Sequence, residues 1–281
     1  MLWIYTGGRR ALADSGDTQR LSYPSGDRAV QADLAVPSGA GPWPAVILVH
    51  EISGTSDHYR DVAARFAREG YLALAPHLYA NDAVYKSLDL HAVHMMGRVR
   101  HAEDLEAAIA KLDLPPKEHE ELRRAAYWDR ERDTSTYVPD LLAAVDYLAS
   151  RSDARSGAIG AVGFCWGGGV LGQFLTAGAG LAAASVFYGE PPASGQLATI
   201  RCPVQGHYGT ADTVVGYKFA PELEAAMKAA GKEFSYHIYD DAPHAFFNDT
   251  GPRYREDAAK LAWQRTLEFF QRHLAPAKVA P

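Results

Sequence analysis

The chain has 281 residues, 47% hydrophobic and 22% charged, which is enough apolar material for a full core and argues against long disorder. Its formal charge of -6 gives no reason to expect nucleic acid or an anionic membrane surface as a partner. No run reaches the ~18 apolar residues of a spanning helix, and the opening M-L-W-I-Y is too short for an export signal, so the expectation is a cytoplasmic protein with no membrane association.

Residues 1–24 read as an N-terminal extension, and within residues 1–43 Leu21 to Tyr23 and Val30 to Leu34 read as the strands of an antiparallel opening hairpin. Ala45 to His50 is a continuous apolar run after Pro44, the pattern of a parallel strand buried on both faces. Val62, Ala63, Phe66 and Ala67 then share one helical face, Gly70 stands at the C-cap position, and Tyr71 to Ala75 forms a second buried strand. Residues 80–135 are too long for a connection, polar and rich in histidine. They predict a helical insertion over the carboxyl edge of the sheet, broken at Pro115-Pro116. Leu141 to Leu148 is helical, Ile159 to Phe164 a strand, and a helix resumes from Gly168. Strands follow at Ala183 to Tyr188, Val204 to Tyr208 and Phe234 to Tyr239, before an amphipathic closing helix through Ala259, Trp263, Phe270 and Leu274. Alternation of this kind predicts an α/β fold with a mainly parallel central sheet and helices on both faces, in a single domain over residues 1–281.

The stretch V-G-F-C-W-G-G-G at residues 162–169 centres one of only two cysteines in a G-x-C-x-G spacing. A strand entering Gly163 and a helix leaving Gly167 make a nucleophile elbow, in which residues without Cβ let the two backbones approach and the helix N-terminus favours thiolate over thiol. A nucleophile needs a base and a group to orient it. Asp212 follows the strand ending at Tyr208 and His244 follows the strand ending at Tyr239, in the order nucleophile, acid, histidine. His50 and His207 read as packing or supporting groups. His91, His94, His101 and His119 lack the companions of a zinc site, and neither a metal nor a cofactor is expected. Cys202, before Pro203, reads as a buried structural thiol.

These residues resemble the dienelactone hydrolase family, a cysteine branch of the α/β-hydrolases. The matching pieces are H-E-I at 50–52, A-P-H-L-Y at 75–79, D-L-L-A-A-V-D-Y-L at 140–148, G-F-C-W-G-G at 163–168, H-Y-G-T-A-D at 207–212 and A-P-H-A-F at 242–246. Together they cover about residues 25–275 in family order. The resemblance implies an α/β-hydrolase fold, a Cys165, Asp212, His244 triad, an oxyanion hole from the amides of Trp166 and Ile52, and a role for Glu51 in holding or accepting the thiol proton. The family places substrate-binding arginines after the triad histidine, where this chain has Asn248, and before the long helix, where Arg123 and Arg124 are candidates. With Phe246 and Phe247 also set as substrate contacts, the expected substrate is a small-molecule ester or lactone, more neutral and apolar than a dienelactone. A thioesterase, another acyl hydrolase, and a non-catalytic redox-sensing relative with Cys202 as resolving thiol stand as alternatives. A homodimer is left open.

Overall fold

The computed structural model describes residues 18–274 apart from His101. The opening segment, the C-terminal tail and the expectation for His101 lie outside the described residues. The chain opens with an antiparallel hairpin, β1 (Thr18–Ser25) and β2 (Arg28–Ala35), and continues with β3 (Trp43–Val49), α1 (Asp57–Arg68) and β4 (Leu72–Pro76). Four helices follow: α2 (Ala83–Lys86), α3 (Leu90–Met95), α4 (Leu105–Ala110) and α5 (Pro116–Glu131). The alternation then resumes with α6 (Val138–Ser150), β5 (Ala154–Phe164), α7 (Trp166–Thr176), β6 (Ala183–Phe187), β7 (Val204–Gly209), α8 (Ala220–Ala229), β8 (Phe234–Tyr239) and α9 (Glu256–Leu274).

All eight strands join one sheet in the order β1-β2-β4-β3-β5-β6-β7-β8. From β4 to β8 every pairing is parallel, while β2 runs antiparallel to both neighbours. Period-two alternation divides β3 between two cores. Ala45, Ile47 and Val49 face the layer that includes Leu141, Leu171 and Met227, and Val46 and Leu48 face Tyr59, Phe66 and Phe270. Helices thus cover both faces, as an α/β-hydrolase sheet requires.

Some boundaries differ from the sequence reading. β5 starts five residues before Ile159, at Ala154, because its first half pairs at the sheet rim, where Ser156 and Gly157 face solvent and carry no apolar signal. α7 begins at Trp166, not Gly168, since the elbow leads directly into the first turn.

The segment between β4 and α6 is helical and interrupted at Pro115. Its turns are set by aspartates: the Asp82, Asp89 and Asp104 side chains accept from the amides of Tyr85, Ala92 and Ala107, capping α2, α3 and α4. Pro116 occupies the first turn of α5, where a missing N–H costs nothing. Val93, Met96, Ile109, Leu122 and Ala125 bury an apolar seam within this polar stretch, and it continues into the main core.

Candidate active site

Parallel strands deliver their carboxyl ends to one edge, and the chemistry-bearing residues collect there. Cys165 follows β5 with φ 54° and ψ -120°, a strained conformation for a residue bearing Cβ. The flanking glycines make it possible. A Cβ on Gly163 would lie 2.9 Å from the Gly168 Cα and overlap the Gly167 carbonyl, and one on Gly167 would strike the backbone of Val49 and His50. The Cys165 amide donates to the Phe187 carbonyl on the neighbouring strand (3.0 Å), and the residue serves as N-cap of α7, which directs the positive end of that helix at the sulfur.

The loops after β7 and β8 are stitched together. Thr210 donates its amide to the Tyr239 carbonyl (2.9 Å), Ala211 to that of Ala242 (3.1 Å), and Asp241 to the Thr210 hydroxyl (2.8 Å). This brings Asp212 against His244. The His244 Nδ1 donates to Asp212 Oδ2 (2.8 Å), and its Nε2 lies 3.0 Å from Cys165 Sγ. The other Asp212 oxygen accepts from the amides of Val214 (2.8 Å) and Val215 (3.0 Å), so the carboxylate cannot rotate without losing both. Burial disfavours charge on His244, yet the sulfur's negative charge and the bonds to Asp212 and Cys165 carry the ring up to about 10. Burial pushes Asp212 upward as well, but the bond to His244, its charge and the two amides leave the carboxyl below its ordinary range. The arrangement favours a protonated His244 ring between the Asp212 carboxylate and the sulfur.

Glu51, just past β3, is buried, and both its oxygens are engaged. Oε1 accepts from the Tyr188 hydroxyl and Oε2 from Asn248 Nδ2, each at 3.0 Å, while the Glu51 amide donates to the Tyr59 hydroxyl. Asn248 cannot turn, because its Oδ1 accepts from the amide and the hydroxyl of Thr250. Among the described residues the amides of Trp166 and Ile52 donate to no protein acceptor, which leaves both available.

A cavity of about 690 Å³ opens at Cys165 and Trp166. Its walls include Arg100, Asp129 and Arg132 from one side and Gly169, Gln173 and Glu190 from the other. Several residues expected there lie elsewhere. Arg123 and Arg124 sit half-exposed on α5, paired with Glu106 and Glu120 and with Glu121 and Ser87, and neither lines the cavity. Phe246 and Phe247 are buried under the sheet against Phe187, Phe164 and Trp263. Asn248 meets Glu51 instead of open space. The sequence reading missed Tyr188, whose place at the end of β6 was a signal of the same kind as Asp212 and His244. It also missed Arg132 and Asp129, for which an i,i+3 spacing at the end of α5 was the one local signal.

Cys202 is buried, and burial pushes its thiol up to about 12. It lies before the start of β7, whereas Cys165 lies past the end of β5. The length of a strand, roughly 13 Å for four residues of rise, separates the two ends of the sheet and exceeds the reach of a disulfide. His50 is buried, stacked on Trp166, and its desolvated ring is lowered to about 4 despite its bond to the Glu51 carbonyl. Among the described residues no cluster could hold a metal ion, and no helix is long and apolar enough to cross a membrane.

Comparison with known proteins identifies the family. The sequence model of the Dienelactone hydrolase family matches residues 30–274. A protein of Saccharolobus solfataricus named "Putative carboxymethylenebutenolidase" is 32% identical over 262 residues, 90% of this chain and 98% of its own length. A protein of the same name from Salmonella typhimurium is 31% identical, over 90% of this chain and 86% of its own. The crystal structure called a "Putative Dienelactone Hydrolase" from Klebsiella pneumoniae superposes with a TM-score of 0.71 at 28% identity, covering 91% of this chain and 98% of that one. The chain therefore belongs to the dienelactone hydrolase family and is a hydrolase of ester or lactone bonds.

Proposed function

We propose that the chain cleaves a small-molecule ester or lactone through a thioester on Cys165. The observation that carries this reading is the unbroken line from Asp212 through His244 to a sulfur 3.0 Å from the ring, at the mouth of a cavity. With the thiol proton passed to His244 Nε2, Cys165 Sγ attacks the carbonyl carbon, and the carbonyl π electrons move onto oxygen. The amides of Trp166 and Ile52 receive that oxyanion, a contribution of about 3 kcal/mol per donor in a preorganised site. Collapse breaks the bond to the leaving oxygen, which takes the proton from His244. A water then gives a proton to His244 and attacks the thioester, and the thiolate leaves.

Glu51 has a supporting part in this scheme. Its oxygens are committed to Tyr188 and Asn248, and the sulfur faces the imidazole, so His244 is the base and Glu51 keeps Tyr188 and the loop carrying Asn248 fixed behind the nucleophile. The cavity wall balances two arginines, Arg100 and Arg132, against two carboxylates, Asp129 and Glu190. A wall of that kind favours a polar substrate without net charge over a wholly apolar one.

The test is a panel of lactones, aryl esters and thioesters assayed with wild type, Cys165→Ala and His244→Ala, with intact-mass detection of acylated Cys165 from an aryl ester. Turnover lost in both variants, with acyl adduct on wild type, is the expected result. Full turnover in both variants refutes the scheme.

A further inference from the structure

Beyond the residues of the triad, the geometry points to Arg132 as a positioning residue for the oxyanion-binding side of the elbow, an inference that rests on the hydrolytic reading above. Arg132 follows α5, and its side chain is only 7% exposed. Its guanidinium carbon lies 4.1 Å from the ring centre of Trp128, 4.7 Å from that of Trp166 and 5.4 Å from that of Tyr79. In the plane of the fork, Nη1 donates to the Tyr79 hydroxyl (2.8 Å) and Nη2 to Asp129 (2.7 Å). Asp129, whose side chain is only 4% exposed, also accepts from Arg100 (3.0 Å). A planar cation that stacks on indoles while donating edge-on satisfies all of these contacts at once, which an ammonium cannot do.

What this box holds is Trp166, the residue after the nucleophile. The Trp166 indole N–H makes no hydrogen bond among the described residues, so the ring is located by packing alone: His50 at 5.5 Å, Tyr79 at 4.9 Å, Tyr137 at 5.2 Å, and Arg132. The peptide between Cys165 and Trp166 bears the amide assigned to the oxyanion, and its direction follows from the strained ψ of Cys165. A strained backbone persists only where its surroundings over-determine it. Glycine contacts supply that constraint on the strand side. Arg132 supplies it on the helix side by fixing the Trp166 ring.

The experiment compares Arg132→Ala and Arg132→Lys with wild type in the full chain, measuring kcat and KM for one neutral aryl ester and the rate of Cys165 alkylation by iodoacetamide. Alkylation needs the thiolate but no oxyanion hole, so it separates positioning of the amide from general damage. The expected result is a kcat lower by about 10- to 100-fold, a KM within about threefold, and an alkylation rate little changed. Lysine restores neither stacking nor turnover, while added methylguanidinium recovers part of the kcat of Arg132→Ala and methylammonium does not. The Lys variant keeps the charge opposite Asp129, so the test survives if the Ala variant fails to fold. An unchanged kcat overturns the inference, as does a rise in KM alone, or a parallel loss of alkylation and turnover. Cys165→Ala in the same assay reports on the underlying reading separately: if it turns over the ester, the hydrolytic scheme has failed, whatever Arg132 does.

Discussion

Replacing Asp212 with asparagine tests the proton logic of the site more sharply than removing it. One Asp212 oxygen receives the amides of Val214 and Val215, at 2.8 and 3.0 Å, and an asparagine must keep its own oxygen there or bury two orphaned donors. Its NH2 group then faces His244 Nδ1, now 2.8 Å from a carboxylate oxygen. That nitrogen becomes an acceptor, and the ring proton moves to Nε2, directed at the sulfur 3.0 Å away. The imidazole can no longer take the thiol proton. The same exchange in a serine triad costs about ten-thousandfold, and a thiolate depends less on its base, so kcat/KM should fall about 100- to 1000-fold, or roughly 3–4 kcal/mol. Asp212→Ala leaves the tautomer free and should retain about fivefold or more activity over Asp212→Asn. Steady-state kinetics on an aryl ester, with a melting curve for each variant, decides the matter. An asparagine variant within about fivefold of wild type, or one more active than the alanine variant, refutes the reasoning.

Other outcomes follow from the same geometry. Gly163→Ala places a Cβ against backbone atoms of Gly167 and Gly168 that cannot yield, and should cost roughly 1–3 kcal/mol in chemical denaturation together with most turnover. His244 is raised to about 10 from an ordinary 6.5, so the stability it lends is fully present below about pH 6.5 and is lost as pH rises through its folded value. The melting temperature of wild type should therefore fall more steeply from pH 8 to 10 than that of His244→Gln. The carboxyls of Asp33, Asp212 and Asp249 lie below their ordinary value, and burial is outweighed by hydrogen bonds, from His77 and Arg20 to Asp33, from His244 and the amides of Val215 and Val214 to Asp212, and from His58 and Arg65 to Asp249. Their contribution is present above the usual carboxylate range and is lost as pH falls through the folded values, so acid melting curves should flatten in Asp249→Asn. Arg123→Ala and Arg124→Ala, at exposed ion pairs on α5, should leave KM unchanged and stability within about 0.5 kcal/mol.

The sequence revealed whatever depended on local rules. Strands β3 and β4 announce themselves because a strand buried on both faces must be apolar throughout, and the elbow because only glycine tolerates the approach of two backbones. The meeting of Cys165, Asp212 and His244 followed from parallel strands sharing one carboxyl edge. The rest depends on partners far along the chain. Asn248 looks like a substrate contact until its amide is found on Glu51, 197 residues away. Phe246 and Phe247 sit beside a triad histidine in sequence, where an apolar pair reads equally as core or as pocket, and their burial decides for core. Arg132 shows in the sequence only helical spacing from Trp128 and Asp129, a common surface pattern: it matters because rings from two further segments, Tyr79 and Trp166, also converge on it.

In the proposed scheme the stitched loops and the elbow supply every atom assigned to bond making and breaking, whereas Arg100, Asp129, Arg132, Thr134 and Ser135 furnish one flank of the cavity beside the sulfur. Reactivity and selectivity are thus inscribed in different stretches of polypeptide. Exchanging the flank for one of another length or composition would retune which molecules enter while leaving the reaction intact, on one condition. Whatever is grafted must still bring a guanidinium to rest on the tryptophan beside the sulfur, and that single keystone limits how freely the scaffold can be retooled.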